Sequence, residues 1–198
     1  MSATTTVSGL SVWFWRQVAT WAVILKRIDL AIEFWARIHA ARPRDPRALA
    51  TLAHLHAEKG RSAQAIELLR RSLDLDSGKA ATWFNLGFLL QGEGQHDEAM
   101  ASFDRAIALD PKLDRAHYGK AISLIKLGRL EESIPVLQRN IELQPMSPFG
   151  FYQLVHVYHR LGQAARAEET ICHLAGFEPQ VARQLERETG ISAGLGVR

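Results

Sequence analysis

The chain has one cysteine, Cys172, among its 198 residues. No internal disulfide can form, so nothing calls for an oxidising compartment. It has no long uninterrupted apolar run. The most hydrophobic stretch, "SVWFWRQVATWAVIL" at 11–25, is broken by Arg16 and Gln17 and closed by Lys26 and Arg27, short of the ~20 apolar residues a membrane span needs. Residues 1–10 hold no Lys or Arg, so the charged leader of a secretory signal is missing. The default compartment is therefore the cytoplasm. Basic residues do not cluster, and the net charge is only +3, which excludes the positive stripe of a nucleic-acid binder.

Catalytic and metal motifs are equally scarce. No Gly-rich phosphate loop, Gly-x-Ser-x-Gly elbow or kinase signature occurs. His156 and His159 lie three apart on one expected helix, and Cys172 with His173 falls in the next. Without a Cys-x-x-Cys or His-Glu-x-x-His pattern, a closed zinc set is not expected. Asp97-Glu98 and Glu131-Glu132 stand where helices begin, which suits the helix dipole better than paired acid–base chemistry. The expectation is a non-enzyme with no cofactor and no metal.

What is present is a stride. Gly60, Gly94, Gly128 and Gly162 fall 34 residues apart, as do Pro111, Pro145 and Pro179, with Pro43 two periods earlier. Ala31, Ala65, Ala99, Ser133 and Ala167 share that spacing, and so do Trp35, Leu69, Phe103, Leu137 and Ile171. Several columns with one period identify a repeat array. In residues 80–111, Trp83, Leu86, Gly87 and Leu90 form one helical stripe, Gly92 and Gly94 interrupt it, and Ala99, Phe103 and Ala106 form a second before Pro111 ends the helix. That is a helix–turn–helix hairpin, with Gly87 and Ala99 small where the axes should approach.

Those residues, with Gly94 and Pro111, resemble the tetratricopeptide repeat signature at each consensus position. Carrying the frame along gives five units, 12–45, 46–79, 80–113, 114–147 and 148–181. A tail at 1–11, expected to be disordered, precedes them, and a capping helix with a flexible tail at 182–198 follows. The resemblance implies an all-α fold, an α-solenoid wound as a right-handed superhelix. Lys26 replaces a turn glycine. His117, Lys120, Ser133 and Asn140 depart from the pattern in the fourth unit, which is expected to pack least tightly, and His56 and Ser77 depart in the second.

The resemblance also implies a function. First helices line a concave groove, giving as candidate binding residues Arg47, His54, Phe84, Asn85, Phe88, Arg115, Tyr118, Ile122, Lys126, Tyr152, His156 and Arg160. This lining is aromatic and basic, with Glu58 the only carboxylate, and suits a protein or peptide segment bearing acidic and apolar side chains. Asn85 matches one residue of the Lys/Asn clamp that holds chaperone C-termini, and Arg115 can stand for a basic partner. Ala50, His54 and Gly119 replace the rest of the clamp, so chaperone tails are disfavoured.

The expected role is a scaffold or adaptor. The alternatives are an assembly or membrane-surface factor working through the first repeat, or the regulatory subunit of an enzyme complex. Phe14, Trp21 and Leu25 occupy the side of the first helix that would face a preceding repeat. Such a patch marks an interface, with a protein partner, a second copy or, less favoured, a membrane surface.

Overall fold

The computed structural model describes residues 9–194. Eleven α-helices and no strands occur among them, and they follow the 34-residue frame. The first helices of successive hairpins are α1 (Gly9–Ile24), α3 (Pro46–Glu58), α5 (Ala80–Gly92), α7 (Asp114–Lys126) and α9 (Pro148–Arg160). The second helices are α2 (Ile28–Ala41), α4 (Ser62–Leu75), α6 (His96–Leu109), α8 (Leu130–Leu143) and α10 (Ala164–Ala175), and α11 (Pro179–Thr189) follows. This is the expected all-α solenoid of hairpins with a terminal capping helix.

Two boundaries differ from expectation. Helix α1 begins at Gly9, so residues 9–11 of the expected tail are helical, while residues 1–8 lie outside the described part. The capping helix begins at Pro179, whose missing N–H costs nothing in the first turn, and residues 195–198 again lie outside. The chain divides after Gly94 into two compact units.

Within each hairpin a tight turn reverses the chain. Gly60, Gly94, Gly128 and Gly162 all have φ between 70° and 76°, a region closed to most side chains by contact between Cβ and the carbonyl. Lys26 takes the fifth such place at φ 56° and is the one positive-φ non-glycine among the described residues. Between hairpins, Asp76 and Asp110, one period apart, each fold a carboxylate onto the amide two residues on, at 2.9 and 3.1 Å, the Asx turn that lets a short link change direction.

The core is built from the expected columns. Ala31, Ala65, Ala99, Ser133 and Ala167 are all fully buried, as are Phe103, Leu137 and Ile171. Gly119 shows how little room the helices leave: a Cβ there would stand 2.5 Å from the Phe103 ring. Several polar departures are held by specific bonds, whereas His56 keeps its Nδ1 buried without a partner. Ser72 donates to the carbonyl of Pro46 at 2.8 Å, and Asn140, one unit-pair later in the same register, donates to Asp114 at 3.0 Å. The indole N–H of Trp83 donates to the carbonyl of Ser77 at 2.8 Å, and His117 Nε2 makes the equivalent bond to Pro111 at 3.0 Å. Ser133 turns its hydroxyl onto Leu130 at 2.6 Å. The fourth unit, expected to be loosest, thus has its buried polar groups partnered, as burial requires.

The strain at Lys26 gives a test. Lys26→Gly should stabilise the chain by about 1 kcal/mol, raising the melting temperature by about 2–4 °C. Thermal unfolding followed by circular dichroism checks it, and an unchanged or lower midpoint would contradict the strain.

Candidate peptide-binding faces

In the first compact unit, α3 carries Arg47 and His54 seven residues apart on one exposed side, the spacing that returns a helix to the same face. Helix α5 carries Phe84, Asn85 and Phe88. The rings of Phe84 and Phe88 lie nearly parallel at 6.3 Å, and Phe88 stays 61% exposed. An exposed aromatic on a helix that otherwise buries Leu86, Gly87 and Leu90 has apolar area still available for contact.

In the second unit, α7 presents Arg115, Tyr118, Ile122 and Lys126 along one side, with Tyr118 and Ile122 half-buried. Tyr118 meets Phe149 of α9 edge-on at 6.5 Å, and Phe149 is 66% exposed. Tyr152 and His156 continue that side of α9, one turn apart, with ring centroids 4.6 Å apart. Lys126 and Arg160 close the last turns of α7 and α9. Cations there are favoured by the helix dipole, which is reason enough for their presence without a ligand.

Sequence reasoning left out the residue that completes this face. Glu188 of α11 accepts from the Tyr152 hydroxyl at 2.8 Å and pairs with His156 Nε2 at 3.1 Å, while Gln184 donates to its other oxygen at 2.7 Å. Glu188 brings a carboxylate from outside the repeats onto this face, and Tyr152 and His156 are occupied rather than open. The capping helix buries Ala182, Leu185 and Thr189. The amide of Gln184, then Tyr152, hold the Glu188 carboxyl below its ordinary value of 4.5. The same carboxylate raises the Tyr152 phenol above 10.0.

Phe14, Trp21 and Leu25 are exposed, as expected of the outer side of α1, and Leu10, Trp13 and Ile24 join them. A cleft of about 890 Å³ lies between α8, α9 and α10, floored by Ile134, Ile141 and Phe151, with the Arg166 guanidinium 5.8 Å over the Tyr158 ring. It went unread because second-helix residues in the repeat pattern register as packing. The paired carboxylates stand in first turns as expected: Asp97 and Glu98 in α6, Glu131 and Glu132 in α8. Arg129 grips Glu132 through two bonds of 2.7 and 2.6 Å. No group of three or more His, Cys, Asp or Glu gathers around an ion-sized site among the described residues. No helix among them is long and apolar enough to cross a membrane.

Two family models, both described as Tetratricopeptide repeat, match residues 80–113 and residues 46–79 and 114–145, together just over half the chain. The chain belongs to the tetratricopeptide repeat family. The matches fall on the three central units of the frame. Relatives with partial similarity include Protein FlbA of Caulobacter vibrioides, 30% identical over 106 residues, which covers 54% of this chain and 18% of that one. Superkiller protein 3 of Saccharomyces cerevisiae is 33% identical over 84 residues, covering 42% and 6%. The chain thus spans less than a fifth of the length of these relatives. Among solved structures, MamA from Desulfovibrio magneticus RS-1 superposes with a TM-score of 0.79 at 18% identity, covering 92% of this chain and 98% of that one. YrrB gives 0.79 at 16% identity, covering 93% and 94%. These likenesses concern the fold. Tetratricopeptide repeat proteins bind protein or peptide partners, and no catalytic family is indicated.

The Glu188 contact has a pH sign. A carboxyl whose folded pKa lies below its unfolded value contributes stability that is complete above the unfolded value and is lost as pH falls through the folded one. The hold of α11 on α9 is therefore expected to weaken below pH 4.5. Hydrogen exchange of the α11 amides measured against pH should show protection falling there in the parent, and a flatter profile in Glu188→Gln. Identical profiles would rule out this carboxylate as the cause.

Proposed function

We propose that this tetratricopeptide repeat protein is a non-enzymatic scaffold or adaptor, whose first-helix faces hold a protein or peptide segment carrying acidic and apolar side chains. The observation that carries the reading is a carboxylate already seated on such a face. Glu188 takes bonds from Tyr152 and His156 on α9, so this surface accepts an acid in the chain's own geometry. Beside it, Phe149 and, in the other unit, Phe88 offer exposed rings, and Arg47, Arg115, Lys126 and Arg160 supply cations on the same helix faces. Aromatic anchors ringed by charge are what binding surfaces of this kind use. YrrB, similar in fold, is described as having an unusual peptide-binding site, which supports a peptide as the ligand class. The cytoplasm is the proposed compartment, and complex assembly the proposed context.

A second reading rests on one separate observation, the exposed apolar side of α1. There the protein docks end-on to another surface, and the first-helix faces are secondary.

A fluorescent peptide alternating Asp and Phe, followed by anisotropy, separates the two readings. Substituting Phe88, Tyr118 and Tyr152 by Ala should weaken its binding at least about tenfold, and added salt should weaken parent binding further. Trp21→Ser should leave it unchanged. Binding that survives the triple substitution, or fails with Trp21→Ser, would overturn the assignment.

A further inference from the structure

Helix α1 is apolar on two opposite sides. Val12, Ala19 and Ala22 are buried, Val12 in a cluster with Ile38 and Ala48 and Ala22 in one with Ala31 and Leu55. The other side presents Leu10, Trp13, Phe14, Gln17, Trp21 and Ile24, at steps of three and four residues that bring them onto one strip. Leu10 is 79% exposed, Trp13 61%, and Trp21 and Ile24 each 60%. A helix apolar all round is ordinarily a buried one, so the strip needs a cover.

Three observations choose what covers it. The first is its order. Trp13 and Trp21 stand four residues either side of Gln17, and Leu10 and Ile24 seven residues either side, so the strip reads almost alike in both directions. An isologous interface sets one patch against itself, residue i meeting j while j meets i. Two α1 helices crossing antiparallel at Gln17 would place Trp13 of one copy against Trp21 of the other, twice over, with Leu10 facing Ile24 at each end.

The second is area. Aromatic side chains bury ~150–250 Å² each, so the exposed parts of Trp13, Phe14 and Trp21, with the aliphatic residues beside them, offer on the order of 700 Å² per copy. A standard stable interface uses about 800 Å² per partner.

The third is charge. The strip has none, and its nearest cation, Arg16, is drawn back over the Trp35 ring at 6.0 Å. Gln17, which both donates and accepts, can pair with its own symmetry mate, and one polar residue in an apolar seam fixes register. A bilayer surface would take the tryptophans but has no use for the symmetry. Interfacial helices also keep a polar face in water opposite the buried one, and here that opposite side is core.

We propose that two copies of this chain associate through α1, as an antiparallel helix pair centred on Gln17. This rests on the end-docking reading above and commits it to one occupant.

Light scattering after size exclusion, on the full chain at micromolar concentration, should give twice the 22.1 kDa of one copy. Trp21→Glu should weaken association at least about tenfold while circular dichroism retains the helical signal. Register is tested by oxidative cross-linking in a Cys172→Ser background. Gln17→Cys should link to itself, and Leu10→Cys should link to Ile24→Cys in a mixture but not to itself. A single-copy mass at every concentration overturns the proposal, including the case where the chain instead sediments with phosphatidylglycerol vesicles in a Trp21-dependent way. So does a dimer that persists with Trp13→Glu and Trp21→Glu combined. Binding of the Asp–Phe peptide is expected to continue in the dissociated variant, so failure here and failure of the peptide-binding faces read out separately.

Discussion

One crossing point, repeated every 34 residues, organises this chain. At Ala31, Ala65, Ala99, Ser133 and Ala167 the side chain is a methyl or a hydroxymethyl and its exposure is zero. Helix axes pack at 8–10 Å, and interiors at that spacing are filled to crystal-like density, so a small residue is the condition for the second helix of a hairpin to lie close against its neighbour. The larger members of the next column, Phe103, Leu137 and Ile171, then fill the space to either side. With its apolar stripe consumed in this way, a first helix keeps its other side for solvent, for a ligand or, in α9, for the capping helix. The binding faces are what that packing leaves over.

The same constraint explains why some departures from the repeat pattern are tolerated. Ser72 and Asn140 occupy equivalent places in two units and both return a hydrogen bond to the first carbonyl of their own hairpin. His117 keeps the bond that Trp83 makes, with a smaller ring. In each case a polar group enters the core with its partner fixed by the repeat geometry, which removes most of the cost of burying it. Gly150 is the counterpart among small residues: a Cβ there would meet Asn140 Oδ1 at 2.6 Å, so the buried amide and the glycine require one another.

Periodicity made the hairpins, their turns and the small-residue column readable in the sequence, down to the left-handed turn at Lys26. Features that belong to one place and not to the period stayed hidden. Glu188 is invisible to a repeat frame because α11 is not a repeat, yet it fills the face of α9. The outer strip of α1 was only half seen, in Phe14 and Trp21. Of the rest, Leu10 lay before the assumed boundary at residue 12, and Trp13 and Ile24 sit at places to which the repeat pattern assigns no residue type. Partner chemistry is legible only through residue types, as aromatic and basic. The geometry adds that a carboxylate fits among them.

The account stands on the small-residue column, and Ala65→Leu and Ala167→Leu test it directly through chemical denaturation. Both sites are fully buried, and forcing three further carbons between packed helices is expected to cost about 1–3 kcal/mol at each, with the helical signal preserved before the transition. Stability within about 0.5 kcal/mol of the parent, the range of ordinary surface changes, would mean that the helices do not meet there, and would contradict the account.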